Sequence, residues 1–313
     1  MRVLAHHSSA SDRLYPWLLL SVTSLGVILT ALHNGTLNVA LPEVAQHFHA
    51  TAVTASWILL SYMLFSTILI LVFGRLADIY GHRNLYLTGF VGFTVVSFLI
   101  GFSPNVWVLI GLRALQAAGG ALIISNTTAL ITDAFPERLL GTGLGINVLI
   151  SSIGQLLGPS IGGWLAASFG WQWVFWFNVP VGVTGVIWGI VTLRPVPQRS
   201  HTEKVDLRGI AVVFLLLGGL ILAFSEEGVL GWNSWPVILG FVLFCVFTPC
   251  FIWVEWHAKD PLIDFGLFRD RAYAMANLTA FLNSLARASV VLLIALFFQR
   301  SKSRTFNRTI LAL

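Results

Sequence analysis

The sequence predicts an all-α polytopic membrane protein. Three observations predict it: apolar runs of bilayer length recur along the chain, charge is scarce, and the basic residues fall into alternate loops. Of 313 residues, 57% are hydrophobic and 10% are charged; soluble chains carry roughly 25% charged residues. Mean hydropathy is +0.84. The net charge of +5 does not point to nucleic acid, because the basic residues stand in short loops between apolar runs. Cys245 and Cys250 share one apolar segment, at a spacing that suits neither zinc nor a disulfide.

Nine runs approach the ~20 residues that cross a bilayer. They are about 15–39, 53–73, 85–103, 107–132, 142–166, 173–192, 208–225, 236–254 and 273–298. The first is too long for a signal-peptide core and lacks a small-residue cleavage site, so it reads as a spanning helix. Gly218-Gly219, Pro249 and Arg287 interrupt the last three.

The basic residues orient the chain. Arg2 and Arg13 precede the first run, Arg75 and Arg83 follow the second, and Arg138 follows the fourth. Arg194, Arg199, Lys204 and Arg208 follow the sixth; Lys259, Arg269 and Arg271 follow the eighth. The alternate loops, at 40–52, 104–106, 167–172 and 226–235, hold no Lys or Arg. The expectation is a cytoplasmic amino terminus at 1–13. Trp17, Trp107, Trp171, Trp173, Trp232 and Trp235 stand near the run ends, as an aromatic belt would. The tail, 299–313, breaks the pattern: it should be outside, yet carries Arg300, Lys302, Arg304 and Arg308. Either the last helix does not cross, or the tail is a non-native continuation.

Gly154, Gly158 and Gly162 recur every four residues and share one helix face. Such a face admits a second helix closely. Pro159 removes a backbone donor, which a bilayer tolerates only where a neighbour covers it. The stretch therefore asks for a partner helix.

Five stretches carry a family resemblance. Gly154 to Gly163 is similar to the antiporter motif G-x-x-x-G-P-x-x-G-G of the major facilitator superfamily, with every specified position matched. Gly74-Arg-Leu-Ala-Asp78-Ile-Tyr-Gly81-His-Arg83 resembles its cytoplasmic loop motif, departing at Ile79 and His82. Leu109 to Gly119, with Arg113 and Gln116, resembles its fourth-helix motif, with Ala117 where Gly is usual. Leu32 to Pro42 resembles its first-helix motif, with His33 in place of Asp. Trp171-Gln172-Trp173 through Asn178 to Gly182 resembles the W-R-W motif of the 14-helix branch, with Gln172 in place of Arg. Over roughly 14–299 the chain thus resembles the 14-helix drug/proton antiporters.

The resemblance implies an amino-terminal six-helix bundle at 14–193 and a cytoplasmic linker at 194–207. It implies an inserted helix pair at 208–254, then a loop and the first helix of an incomplete second bundle at 255–298. The chain looks truncated on that plan. The implied function is multidrug efflux across the plasma membrane, in bacteria the inner membrane, with lipophilic or cationic compounds exchanged for protons. The alternatives are a non-transporting remnant, or a half-transporter whose partner chain supplies the missing helices. No phosphate loop, metal cluster or Ser-His-Asp arrangement appears, so neither an enzyme nor a cofactor is expected.

Each candidate residue carries two readings. Gly74, Asp78, Gly81 and Arg83, with Arg138 from the next cytoplasmic loop, form a conformational latch or are topogenic charges in a connecting loop. Arg113, with Gln116 one turn on, faces the bundle interior and couples protons, or snorkels to the interface. All thirteen acidic residues fall in loops or at helix ends. His33, whose imidazole titrates near ~6.5, then carries the coupling proton or is a neutral ring bonded to a carbonyl or Asn34. The resemblance implies that Gly154, Gly158, Pro159, Gly162 and Gly163 control the direction of antiport; helix packing alone explains them too. Their partner is expected in the absent second bundle. Asn38, Asn126, Asn147 and Asn178, with Phe65, Phe90 and Trp176, line a drug cavity or make ordinary interhelical contacts.

Overall fold

The computed structural model describes residues 10–195, 207–258 and 265–286, with side chains described over 14–195, 209–224, 231–258 and 265–286. The described residues are all helix, turn and connecting segments. The helices are α1 (Ala10–His47), α2 (Ala52–Tyr80), α3 (His82–Ile100), α4 (Val106–Ala134), α5 (Glu137–Phe169), α6 (Trp173–Trp176), α7 (Asn178–Thr192), α8 (Leu207–Leu230) and α9 (Trp235–His257). Seven stretches among the described residues are long and apolar enough to span a membrane, with α6 and α7 together forming one of them. The seventh run falls on α8, where Gly209–Phe224 is apolar.

The chain divides after Leu262. The second unit holds a short 3-10 turn (Phe265–Arg269) and a helix over 271–286. The rest of the ninth run, the basic tail, and residues 196–206 of the expected linker lie outside the described residues.

Local chemistry sets the helix ends. The Thr51 hydroxyl accepts from the Thr54 amide at 3.2 Å, and Asn105 Oδ1 accepts from the Val108 amide at 2.9 Å; both satisfy amides that have no carbonyl one turn back. Gly81 breaks α2 from α3 at φ 88°, a value that glycine adopts without strain. The helices outrun the apolar runs because polar ends beyond the hydrocarbon extend the same helix. Inside, Thr94, Ser97 and Thr127 hydroxyls donate to carbonyls four residues back, so they are satisfied without water.

α1 packs along α5, α2 and α3 pack along α4, and α7 fits against α1 and α3. The core has two apolar halves. One gathers Leu19 to Leu29 of α1, Tyr86 to Phe93 of α3 and Ala117 to Ile131 of α4. The other gathers Leu37 to Val44, Val96 to Ile100, and Val106 to Leu109. His33 on α1 and Arg113 on α4 fall between them in sequence, and Ser97 on α3 lies at the near edge of the second. α8 and α9 cross closely at Gly219 and Gly240, and Phe214 of α8 meets Phe65 of α2 edge to face at 5.4 Å between ring centres.

Two expectations are corrected here. Trp171 is no belt residue: it is 4% exposed and packs on His47 and Phe48. The glycine face of α5 finds its partner within the first unit, not in a second bundle. Gly154 lies over Ala31, Gly158 over Gly35 and Gly162 over Thr36. The helix continues through Pro159, whose Cδ lies beside Gly35.

Candidate functional site

The polar layer between the two core halves is one connected network. Arg113 Nη1 donates to His33 Nε2 and, at 2.6 Å, to Gln116 Oε1. Its Nε donates to the Ile58 carbonyl at 3.1 Å. Gln116 Nε2 donates to Ser97 Oγ at 2.7 Å. On the other side of the imidazole, the Asn178 amide lies 3.0 Å from Nδ1. Rings of Tyr62, Phe93 and Phe175 enclose the histidine, with centres 5.2–5.8 Å away. The Arg113 guanidinium carbon sits 4.3 Å above the Tyr62 ring.

Donor counting fixes the state of the ring. A guanidinium has only donors, so His33 Nε2 accepts and the ring proton sits on Nδ1. The Asn178 Nδ2 stands at that nitrogen and at 3.4 Å from the Val174 carbonyl, so this tautomer needs a 180° turn of the amide, which exchanges its oxygen and nitrogen and gives up the Val174 bond. A second proton on the ring would set N–H against N–H at Arg113. In this arrangement the two side chains cannot both be cations and remain bonded.

Arg113 does not snorkel. It is 1% exposed and points into the bundle. No carboxylate is paired with it among the described residues, so carbonyl, amide and imidazole acceptors and an aromatic face hold the charge. A buried cation without a counter-ion is costly, which makes the network a place where binding or releasing one proton has a large effect.

His33, Arg113, Gln116 and Asn178 are all 1% exposed or less. No substrate-sized molecule touches them in this arrangement. Asn38, by contrast, is on the surface of α1 and outside the network, as is Asn34. Asn147 is half-buried on α5. Asn126 is buried and accepts from His82 Nδ1 at 2.9 Å, while its own Nδ2 donates to the Leu122 carbonyl. Phe90 is fully buried in the core, Phe65 is partly buried, and Trp176 Nε1 donates to the Phe98 carbonyl.

The motif from Gly74 to Arg83 is less of a loop than its sequence suggests. Gly74 and Asp78 are inside α2, Arg83 is inside α3, and Gly81 alone separates the helices. Asp78 pairs with His82 at 3.6 Å. Arg83 Nε donates to the Leu193 carbonyl at the end of α7, at 2.7 Å. Arg138 lies in the first turn of α5, and among the described residues it makes no ion pair with Asp78. Sequence reasoning passed over Tyr62 and Ser97, and treated Glu255 as a helix-end acid although it is 3% exposed on α9. The signal for Tyr62 was a phenol in the middle of an apolar run.

A multi-pass helical bundle with a buried ionisable layer belongs to the class of integral membrane proteins that bind or move small species within their helices. The family model described as Major Facilitator Superfamily matches residues 23–313, and the chain belongs to that superfamily. It is 32% identical over 291 residues to the "Multidrug resistance protein Stp" of Mycobacterium tuberculosis (strain CDC 1551 / Oshkosh), covering 92% of this chain and 54% of that protein. It is 30% identical over 285 residues to the "Multidrug transporter protein MdtP" of Bacillus subtilis, covering 90% and 52%. It is 32% identical over 271 residues to a "Tetracenomycin C resistance and export protein" of Streptomyces glaucescens, covering 85% and 49%. The chain spans about half the length of these relatives.

Proposed function

We propose that the chain is the amino-terminal six-helix bundle, inserted helix pair and opening of the second bundle of a 14-helix drug/proton antiporter. It exports lipophilic or cationic compounds from the cytoplasm against proton entry, in a plasma membrane, the bacterial inner membrane, with its amino terminus cytoplasmic. The observation that carries the reading is the His33–Arg113 contact: a buried imidazole whose second proton cannot coexist with its bonded neighbour. The names of the relatives support the drug-export part. Asp78, Gly81 and Arg83, at the junction of α2 and α3, serve as the conformational latch, with Gly74 and Arg138 beside it.

Transport in this fold rocks two bundles about a midplane site. Further helices complete that site. A non-transporting remnant of such an antiporter is the second reading.

The test is accumulation of a fluorescent lipophilic cation in cells expressing this chain, with membrane expression confirmed. Reduced accumulation that a protonophore reverses supports proton-driven export. Unchanged accumulation supports the remnant.

A further inference from the structure

Tyr62 has two unusual features beside the network. Its ring lies under a buried guanidinium that has no carboxylate partner among the described residues. Its hydroxyl is buried, with the residue 3% exposed, and has no hydrogen-bond partner. Such an oxygen is normally selected against, because phenylalanine fills the same space without an unmet polar group. The chain nevertheless keeps room for it: a Cβ at Gly120 would collide with Tyr62 Oη and lie 3.3 Å from Cζ.

We propose that Tyr62 is the positioning residue of this network: its ring holds Arg113 against His33, and its hydroxyl accepts the guanidinium when His33 takes a second proton. The proposal rests on the reading of His33 as the coupling group. Around His33, α2 contributes Tyr62, α4 contributes Arg113, α3 contributes Phe93, α6 contributes Phe175 and α7 contributes Asn178. Arg113 and Tyr62 are the titratable or charged members of that set. When a proton binds His33 Nε2, the lone pair that accepted from Arg113 Nη1 is consumed. Arg113 keeps its Nε anchor on the Ile58 carbonyl and swings its Nη groups about it. Tyr62 Oη offers the replacement acceptor. The swing also takes Nη1 off Gln116 Oε1, which then accepts from the new His33 Nε2–H: one proton is added, the two Nη1 bonds are lost, and bonds from Arg113 to Tyr62 Oη and from His33 Nε2 to Gln116 Oε1 are made.

Two measurements on the full chain test this. The first is the pH profile of proton-driven exchange in vesicles. The second is the pH profile of the His33 ring signal in micelles, by NMR of 15N-histidine-labelled protein, assigned by its loss in His33→Gln. In Tyr62→Phe the thermal midpoint stays level or rises, because the unmet hydroxyl is gone. Both profiles move by about one pH unit, a tenfold change in the protonation equilibrium. Tyr62→Leu, which removes the ring as well, moves them further. Profiles identical to wild type in Tyr62→Phe, or a His33 signal that never responds to pH, overturn the proposal. A shifted NMR profile in a chain that exchanges nothing leaves the inference standing and removes the transport reading instead.

Discussion

Gly158 and Gly35 touch backbone to backbone. A Cβ on Gly158 would lie 2.8 Å from the Gly35 Cα, and a Cβ on Gly35 would lie 2.9 Å from the Gly158 Cα. No side chain fits between α5 and α1 at this level. The antiporter-type glycines therefore build the first unit itself.

The first prediction follows from that contact. Gly158→Ala and Gly162→Ala each force the α1 backbone aside, at about 1–3 kcal/mol of overpacking. Gly145→Ala, on the same helix with open space around it, is neutral or stabilises by up to about 1 kcal/mol. Thermal unfolding of the purified chain in detergent separates them. Equal midpoints for all three would show that the contact is not tight.

A second prediction concerns the histidine. His33→Ala removes the acceptor of Arg113 and the group that takes the proton, so pH-dependent export disappears while membrane insertion persists. Unchanged pH dependence would end the assignment. Arg113→Lys keeps the charge but lacks the fork that reaches Ile58, His33 and Gln116 together. Export should fall about tenfold or more, since each 1.36 kcal/mol lost is a factor of ten.

How far the sequence exposes this architecture depends on the kind of signal. The spanning helices were legible because each apolar run must satisfy its own backbone in lipid. The glycine face was legible as a demand for close approach, since a four-residue spacing defines a face. It does not define the neighbour, so the expected partner was wrong. His33, Arg113, Gln116 and Asn178 were each visible as polar residues in apolar runs. That they meet depends on how three helices pack, which no local period encodes. Arg113 looked shallow because its run begins near Trp107, but rotation about the helix axis, not distance from the run's end, decides which way a side chain points. Trp171 misled for the same reason: tryptophan near a run end is common both in belts and in packed caps.

A third prediction separates packing from latch chemistry at the α2–α3 junction. Arg83→Ala removes a charge-assisted bond to the Leu193 carbonyl and should cost roughly 1.5 kcal/mol. Asp78→Asn touches a half-exposed pair and should cost less than about 1 kcal/mol, yet slow export if Asp78 serves the latch. The check is unfolding midpoint and export rate measured on both variants. An Asp78→Asn chain that exports at the wild-type rate removes Asp78 from the latch.

The last prediction contrasts two asparagines. Asn178 is buried and faces His33 Nδ1; Asn38 is exposed on α1. Asn178→Leu leaves the imidazole N–H unmet, at about 1–3 kcal/mol, and disturbs the His33 orientation. It should lower the unfolding midpoint and alter the pH profile of export for every substrate alike. Asn38→Leu touches no part of the network and should change stability by no more than about 0.5 kcal/mol. If Asn38 contacts the transported compound, its loss changes which compounds are exported, with the pH profile kept. Export of a panel of neutral and cationic dyes, each measured across pH, distinguishes the two patterns. An Asn38→Leu chain with the wild-type panel places substrate recognition elsewhere, and an Asn178→Leu chain with the wild-type pH profile breaks the link between that amide and the imidazole.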